Sequence, residues 1–130
     1  MSENLDLVRS IYTRWERGDY ASVEWALPEI EFVMVDGPTP GRTRGLSGMS
    51  QFVREGITAF QDLSQEAEDF NELDGGRVVV LNRYSGKGKT SGLGVEARGA
   101  NVFHVDDGRV SKLVHYWDRE RALSDLGIAG

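Results

Sequence analysis

Cysteine is absent from this 130-residue chain. That excludes disulfide staples, thiolate zinc sites and a cysteine nucleophile. Histidine occurs only twice, at His104 and His115, with no H-x-x-x-H spacing, so no metal site is expected. Long apolar runs are missing too. The longest, such as residues 78–81, fall far short of a bilayer span. Residues 1–8 show neither a basic stretch nor an apolar stretch of the kind a signal peptide needs, so a cytoplasmic location is expected. Positive charge is in the minority: 15 Lys and Arg stand against 21 Asp and Glu, for a net charge of −6. That balance argues against a nucleic-acid partner, and the short apolar runs argue against a membrane. A complete phosphate loop is also lacking. Gly88-Lys89-Thr90 has the terminal trio, but Tyr84 stands where the first glycine is required, and the segment joins strands. No cofactor is therefore expected.

What is present reads as a single domain over residues 1–130, of α+β class, with helices first and a sheet after. Leu5, Val8, Ile11, Tyr12 and Trp15 recur at helical spacing, with Asn4 as a cap and Gly18 as the stop. A short second helix is expected over residues 21–27, stopped by Pro28, and then a strand over residues 31–35. Residues 36–41 are turn chemistry. A longer helix is expected over residues 47–60, with Met49, Phe52, Val53, Ile57 and Phe60 on one face. Strands follow: an acidic edge strand over residues 65–73, a Gly75-Gly76 turn, and strands over residues 78–85, 95–105 and 109–117. Asp107-Gly108 turns the last hairpin, and Asp118 caps a final short helix.

Strand alternation gathers the candidate chemistry. His115 and Trp117 share one face of the last strand, and Asn101 and Phe103 share one face of the strand before it. Facing the same interior, His115 lies near Asn101. His115 is a proton carrier near neutral pH, and Asp36 is a carboxylate whose basicity an apolar pocket can raise. Asn101 is a donor for a developing enolate oxygen. Asp36, His115 and Asn101 are thus the catalytic candidates. Trp117, Phe103, Tyr12, Trp15, Glu31 and Tyr84 are the candidate pocket wall. A bland reading stands beside this one: Asp36-Gly37 is also a good turn starter, and a buried His or Asn is commonly a hydrogen-bonded structural residue.

The chain resembles the SnoaL-like branch of the NTF2-like superfamily. The resemblance rests on Gly18-Asp19, on Asp36-Gly37 with Gly45, and above all on three later stretches. These are Asn101-Val102-Phe103-His104, Asp107-Gly108-Arg109-Val110 and His115-Tyr116-Trp117-Asp118. It implies a cone-shaped fold, a curved antiparallel sheet wrapped around N-terminal helices, and a homodimer formed through the sheet face. It also implies activities such as polyketide cyclisation, ketosteroid isomerisation, epoxide hydrolysis or dehydration, or ligand binding without chemistry. Asp36 matches the general base of ketosteroid isomerases, and Asn101 stands where they carry an oxyanion-hole Asp. Their oxyanion Tyr falls near Ile11, one position from Tyr12. The Arg-x-Asp pair of limonene epoxide hydrolases is replaced by Asn82-Arg83-Tyr84, and His115 stands at their second Asp. The implied function is a cofactor-independent isomerase or cyclase acting on a small, apolar, carbonyl-bearing compound. A non-catalytic binder, or a hydrolase or dehydratase in the same pocket, are the alternatives.

Overall fold

The computed structural model describes residues 3–19, 22–36, 40–58, 60–88 and 94–128. Helix α1 (Glu3–Glu16) buries Val8, Ile11 and Tyr12, with acids in its first turn and Arg14 in its last. Asn4 lies inside this helix and does not cap it. Within the described part of the expected second helix, residues 22–27, there is no helix. Strand β1 (Ala26–Met34) begins there instead. Tertiary pairing overrides local preference: Val110 N–H donates to the Trp25 carbonyl at 2.8 Å, and Ala26 stands opposite Val110. Pro28 falls where the register shifts between Ala26 and Glu31, a place where a missing N–H breaks no ladder bond.

Next comes β2 (Gly41–Arg44), a short strand whose first residue fell in the expected turn over residues 36–41. Helix α2 (Leu46–Thr58) ends before Phe60, which opens β3 (Phe60–Leu73). Phe60 is therefore not part of the helical face. β4 (Arg77–Gly88), β5 (Gly94–Asp106) and β6 (Arg109–Tyr116) follow. Lys89 and Thr90 of the glycine-rich segment lie outside the described residues. Between β5 and β6, Asp107 and Gly108 both take positive φ, 51° and 82°. This is the left-handed pair that closes a two-residue hairpin. Helix α3 (Arg119–Leu126) is capped by Asp118, whose carboxylate accepts from the N–H groups of Glu120 and Arg121, and it closes on Gly127.

The sheet corrects the expected architecture. It has six strands in the order β2-β1-β6-β5-β4-β3. β1 runs parallel to β6, so the sheet is mixed rather than antiparallel. β2 and β3 are its two edges and do not pair. The sheet is open, and no cone wraps the N-terminal helices. Nor do the helices keep to one side. One face of the sheet packs Phe32, Val78, Val80, Phe103 and Leu113 against Val8, Ile11 and Tyr12 of α1 and Met49 of α2. The opposite face packs Val79, Val102, Val114 and Tyr116 against Ala122 of α3. Among the described residues, no helix is long and apolar enough to cross a membrane.

Candidate functional site

The α1 side of the sheet carries an unusual inclusion. Along β4, Val78 and Val80 point into the core, and the same alternation brings in Asn82 and Tyr84. Across the ladder, Asn82 stands opposite Gly99 and Val80 opposite Asn101 on β5. Asn101 in turn faces His115 on β6. Tyr12 descends on them from α1. Asn82 is fully buried, and Tyr12, Tyr84 and Asn101 are 2–3% exposed.

These side chains form one hydrogen-bonded network. His115 Nδ1 lies 2.6 Å from Asn101 Oδ1. Asn101 Nδ2 donates to the Tyr12 hydroxyl at 2.8 Å. Asn82 Nδ2 donates to the Tyr84 hydroxyl at 3.0 Å, and that hydroxyl lies 3.3 Å from His115 Nδ1. An amide oxygen only accepts, so the short contact places the hydrogen on Nδ1. A neutral ring with its hydrogen on Nδ1 keeps a lone pair on Nε2. The ring is neutral because desolvation pushes the His115 pKa down to about 4, against a smaller opposing pull from Asp36. Burial likewise raises the pKa values of Tyr12 and Tyr84, so both hydroxyls keep their hydrogens.

Aromatic rings frame the network. Trp117 packs against Tyr84 and His115, at centroid distances of 4.9 and 5.7 Å. Phe103, Phe70 and Trp15 pack around Tyr12. Glycine at position 99 makes room for this. A Cβ there would stand 2.8 Å from the Tyr84 ring and 2.1 Å from the Tyr116 carbonyl oxygen.

Residues 8–113 match the SnoaL-like domain family. The chain belongs to the SnoaL-like family. No curated protein matches it. Among solved structures, an NTF2-like protein from Burkholderia thailandensis E264 superposes with a TM-score of 0.79 at 24% identity, covering 97% of this chain and 98% of that one. An NTF2-like protein of unknown function from Burkholderia pseudomallei K96243 gives 0.79 at 22% identity, covering 95% and 97%. TerC, crystallised with polyporic acid, gives 0.76 at 20% identity, covering 96% and 98%. At these identities the structures show a shared NTF2-like fold.

Within this SnoaL-like chain the candidate residues divide. His115, Asn101, Tyr12, Tyr84 and Trp117 come together, with Phe103 and Trp15 behind Tyr12. Tyr12 enters the site although it is one position along from the aligned place, since both Ile11 and Tyr12 are buried. Asp36 lies at the rim. Its carboxylate accepts the backbone N–H of Trp117 at 2.5 Å and that of Asp118 at 3.2 Å. Glu31 is elsewhere: it pairs with Arg42 and Lys112, at 3.3 and 3.7 Å. Asn82 is the member that sequence reading missed. Its signal was an amide at an inward position directly after an apolar run. Among the described residues, no three His, Asp or Glu side chains are grouped to hold a metal ion. A surface hollow along α2, lined by Leu46, Ser47, Ser50, Gln51 and Arg54, includes none of the network residues.

Proposed function

We propose that this SnoaL-like protein moves a proton on a small, apolar, carbonyl-bearing compound, as an isomerase or cyclase does, without a cofactor. The observation that carries the reading is the 2.6 Å contact between His115 Nδ1 and Asn101 Oδ1. It sets the tautomer and leaves Nε2 as the base. Nε2 takes a proton from the carbon next to the carbonyl. The C–H electron pair becomes the C=C bond, and the carbonyl pair moves onto oxygen as an enolate. The imidazolium then returns its proton to carbon or to the product oxygen. Asn101 has its oxygen engaged by His115 and a hydrogen engaged by Tyr12, so its role here is to position the base. Asp36 holds the backbone at Trp117 and Asp118, and its charge favours the imidazolium that forms. TerC's crystallisation with polyporic acid supports a small-molecule ligand for this fold.

A second reading, ligand binding without turnover, is favoured by that engagement of Asp36, which leaves the network without a free carboxylate base. One experiment separates the two. Apolar ketones and lactones are incubated in D2O with wild type, His115→Gln and Asp36→Asn, and deuterium uptake next to the carbonyl is followed by NMR. Uptake in wild type that falls at least a hundredfold in His115→Gln supports the proton-transfer reading. Saturable binding with no uptake supports the binder. A homodimer through the α3-bearing sheet face completes the proposal, and light scattering at the mass of one chain, 14.4 kDa, would remove it.

A further inference from the structure

The opposite face of the sheet carries one row of charge. Arg77 on β4 stands opposite His104 on β5, and His104 stands opposite Lys112 on β6. The row continues through Glu31 on β1 to Arg44 on β2. Residues paired in this way project from the same side of a sheet, with Cβ atoms about 4.5–5.5 Å apart. Phe103 is buried on the α1 side, so His104 and its neighbours face the other way. The row lies two residues along each strand from Val79, Val102 and Val114, which pack with α3. Its charge is uneven. Glu31 is the one carboxylate in the row, and it is shared by Lys112 at 3.7 Å and Arg42 at 3.3 Å. Arg77 reaches no carboxylate among the described residues. Its Nε donates to the Asp74 carbonyl at 3.1 Å, which uses one of five N–H groups. The half-buried His104 ring has no hydrogen-bond partner among the described residues. Desolvation lowers its pKa, Lys112 and Arg77 add to this, and Glu31 opposes it, so all three charged neighbours act on the ring. Positive charge on both sides of a neutral ring is repulsive as it stands, and an anion above His104 relieves it.

We propose that Arg77, His104 and Lys112 form a binding site for one tetrahedral oxyanion, a phosphate group. The site is on the face of the sheet away from His115 and owes nothing to the proton-transfer chemistry. Its donors come from three adjacent strands: a guanidinium fork, an imidazole N–H and an ammonium. A phosphate group turns three oxygens toward three donors, where a carboxylate has only two. The guanidinium fork matches two phosphate oxygens at once, and the ammonium supplies a compact charge. Strand pairing fixes the three backbone positions before the anion arrives. Glu31 closes the site on the β1 side, since a second negative charge there is repelled, and this keeps the anion over His104.

The test is a titration with inorganic phosphate at constant ionic strength, followed by NMR at the two histidine rings. The His104 resonances are expected to move saturably while those of His115, on the other face, stay. The His104 pKa is expected to rise on binding, because the anion favours the imidazolium against the pull of Arg77 and Lys112. Acetate is expected to bind about fivefold more weakly than phosphate. Arg77→Gln and Lys112→Gln are each expected to weaken phosphate binding about fivefold, and Glu31→Gln to strengthen it about twofold. Phenyl phosphate tells the source of the group: affinity equal to that of inorganic phosphate supports a phosphate monoester, and its exclusion supports the free ion. His104 shifts that follow chloride as closely as phosphate overturn the proposal, and so does an affinity unchanged in both Gln variants of the cations. A dimer contact that covered the row would leave His104 unmoved by phosphate, and that result overturns it too. If the variants do not fold, wild type decides, since equal affinity for acetate and phosphate removes the tetrahedral site.

Discussion

Asp36 and Trp117, 81 positions apart, are joined by a 2.5 Å bond from the Trp117 backbone N–H to the Asp36 carboxylate. Its second oxygen takes the N–H of Asp118. A single side chain at the end of β1 thus fixes the point where β6 becomes α3, with Trp117 over the polar network and Asp118 capping the helix. Hydrogen bonds to a charged acceptor contribute about 1.5–3 kcal/mol each when shielded. Asp36 is only partly buried, so the lower end applies.

Asp36→Ala is accordingly expected to destabilise the fold by about 3 kcal/mol and to alter the near-ultraviolet circular dichroism of the Trp117 cluster. Asp36→Asn keeps one acceptor oxygen and is expected to lose roughly half as much. Urea unfolding of the three proteins measures this. An Asp36→Ala midpoint equal to that of wild type would show that the carboxylate holds nothing.

The pH dependence of stability follows from His115. The unfolded residue takes a proton near pH 6.5, and the folded one near pH 4. Between those values the unfolded state binds more protons, so stability falls as pH is lowered through the window and is complete above it. A shift of this size corresponds to roughly 3 kcal/mol. The comparison is between wild type and His115→Gln, since carboxylates titrate in the same range. The wild-type advantage is expected to shrink from pH 7 to pH 4, and a constant advantage would contradict a desolvated imidazole. By the same argument, any His115-dependent turnover should persist below pH 6.5 and fail only near pH 4.

Tyr12→Phe tests the other end of the network. It leaves the buried Asn101 amide without its acceptor, at a cost of about 1–2 kcal/mol. The Asn101 Oδ1 contact to His115 is retained, so the nitrogen-15 shifts of His115 should still report the hydrogen on Nδ1. A switch to Nε2 in this variant would mean that Tyr12, and not Asn101, sets the tautomer.

Much of this site was legible because strand alternation is a local rule. Asn101 and His115 could be faced toward each other from a turn at Asp107-Gly108 and a period of two, and the Asp118 cap was equally local. What escaped was non-local. Residues 22–27 have helical composition, yet Trp25 and Ala26 are drawn in beside Val110 by a strand more than eighty positions away. The open, mixed sheet depends on that same parallel pairing, which no short pattern announces. The hold of Asp36 on Trp117 and Asp118 was hidden too, because the partners of its carboxylate are backbone N–H groups, which carry no residue-type signature. Asn82 was hidden by the apolar run ahead of it.

Gly99 is the position where sheet geometry and site geometry meet. Opposite Asn82 on the ladder, it leaves a gap that the Tyr84 ring fills. A methyl group at this position would meet the Tyr116 carbonyl oxygen at 2.1 Å and the Tyr84 ring at 2.8 Å. The first of these is backbone in the adjacent strand and cannot swing aside. Gly99→Ala is therefore expected to destabilise by about 2–3 kcal/mol, typical of overpacking in a close-packed interior. It is also expected to push Tyr84 away from Asn82 and His115. Chemical denaturation gives the first quantity, and the loss of the Tyr84–His115 nuclear Overhauser contact gives the second. A Gly99→Ala protein with wild-type stability and that contact intact would show that the strands can part at no cost, and that Tyr84 is not held where the network requires it.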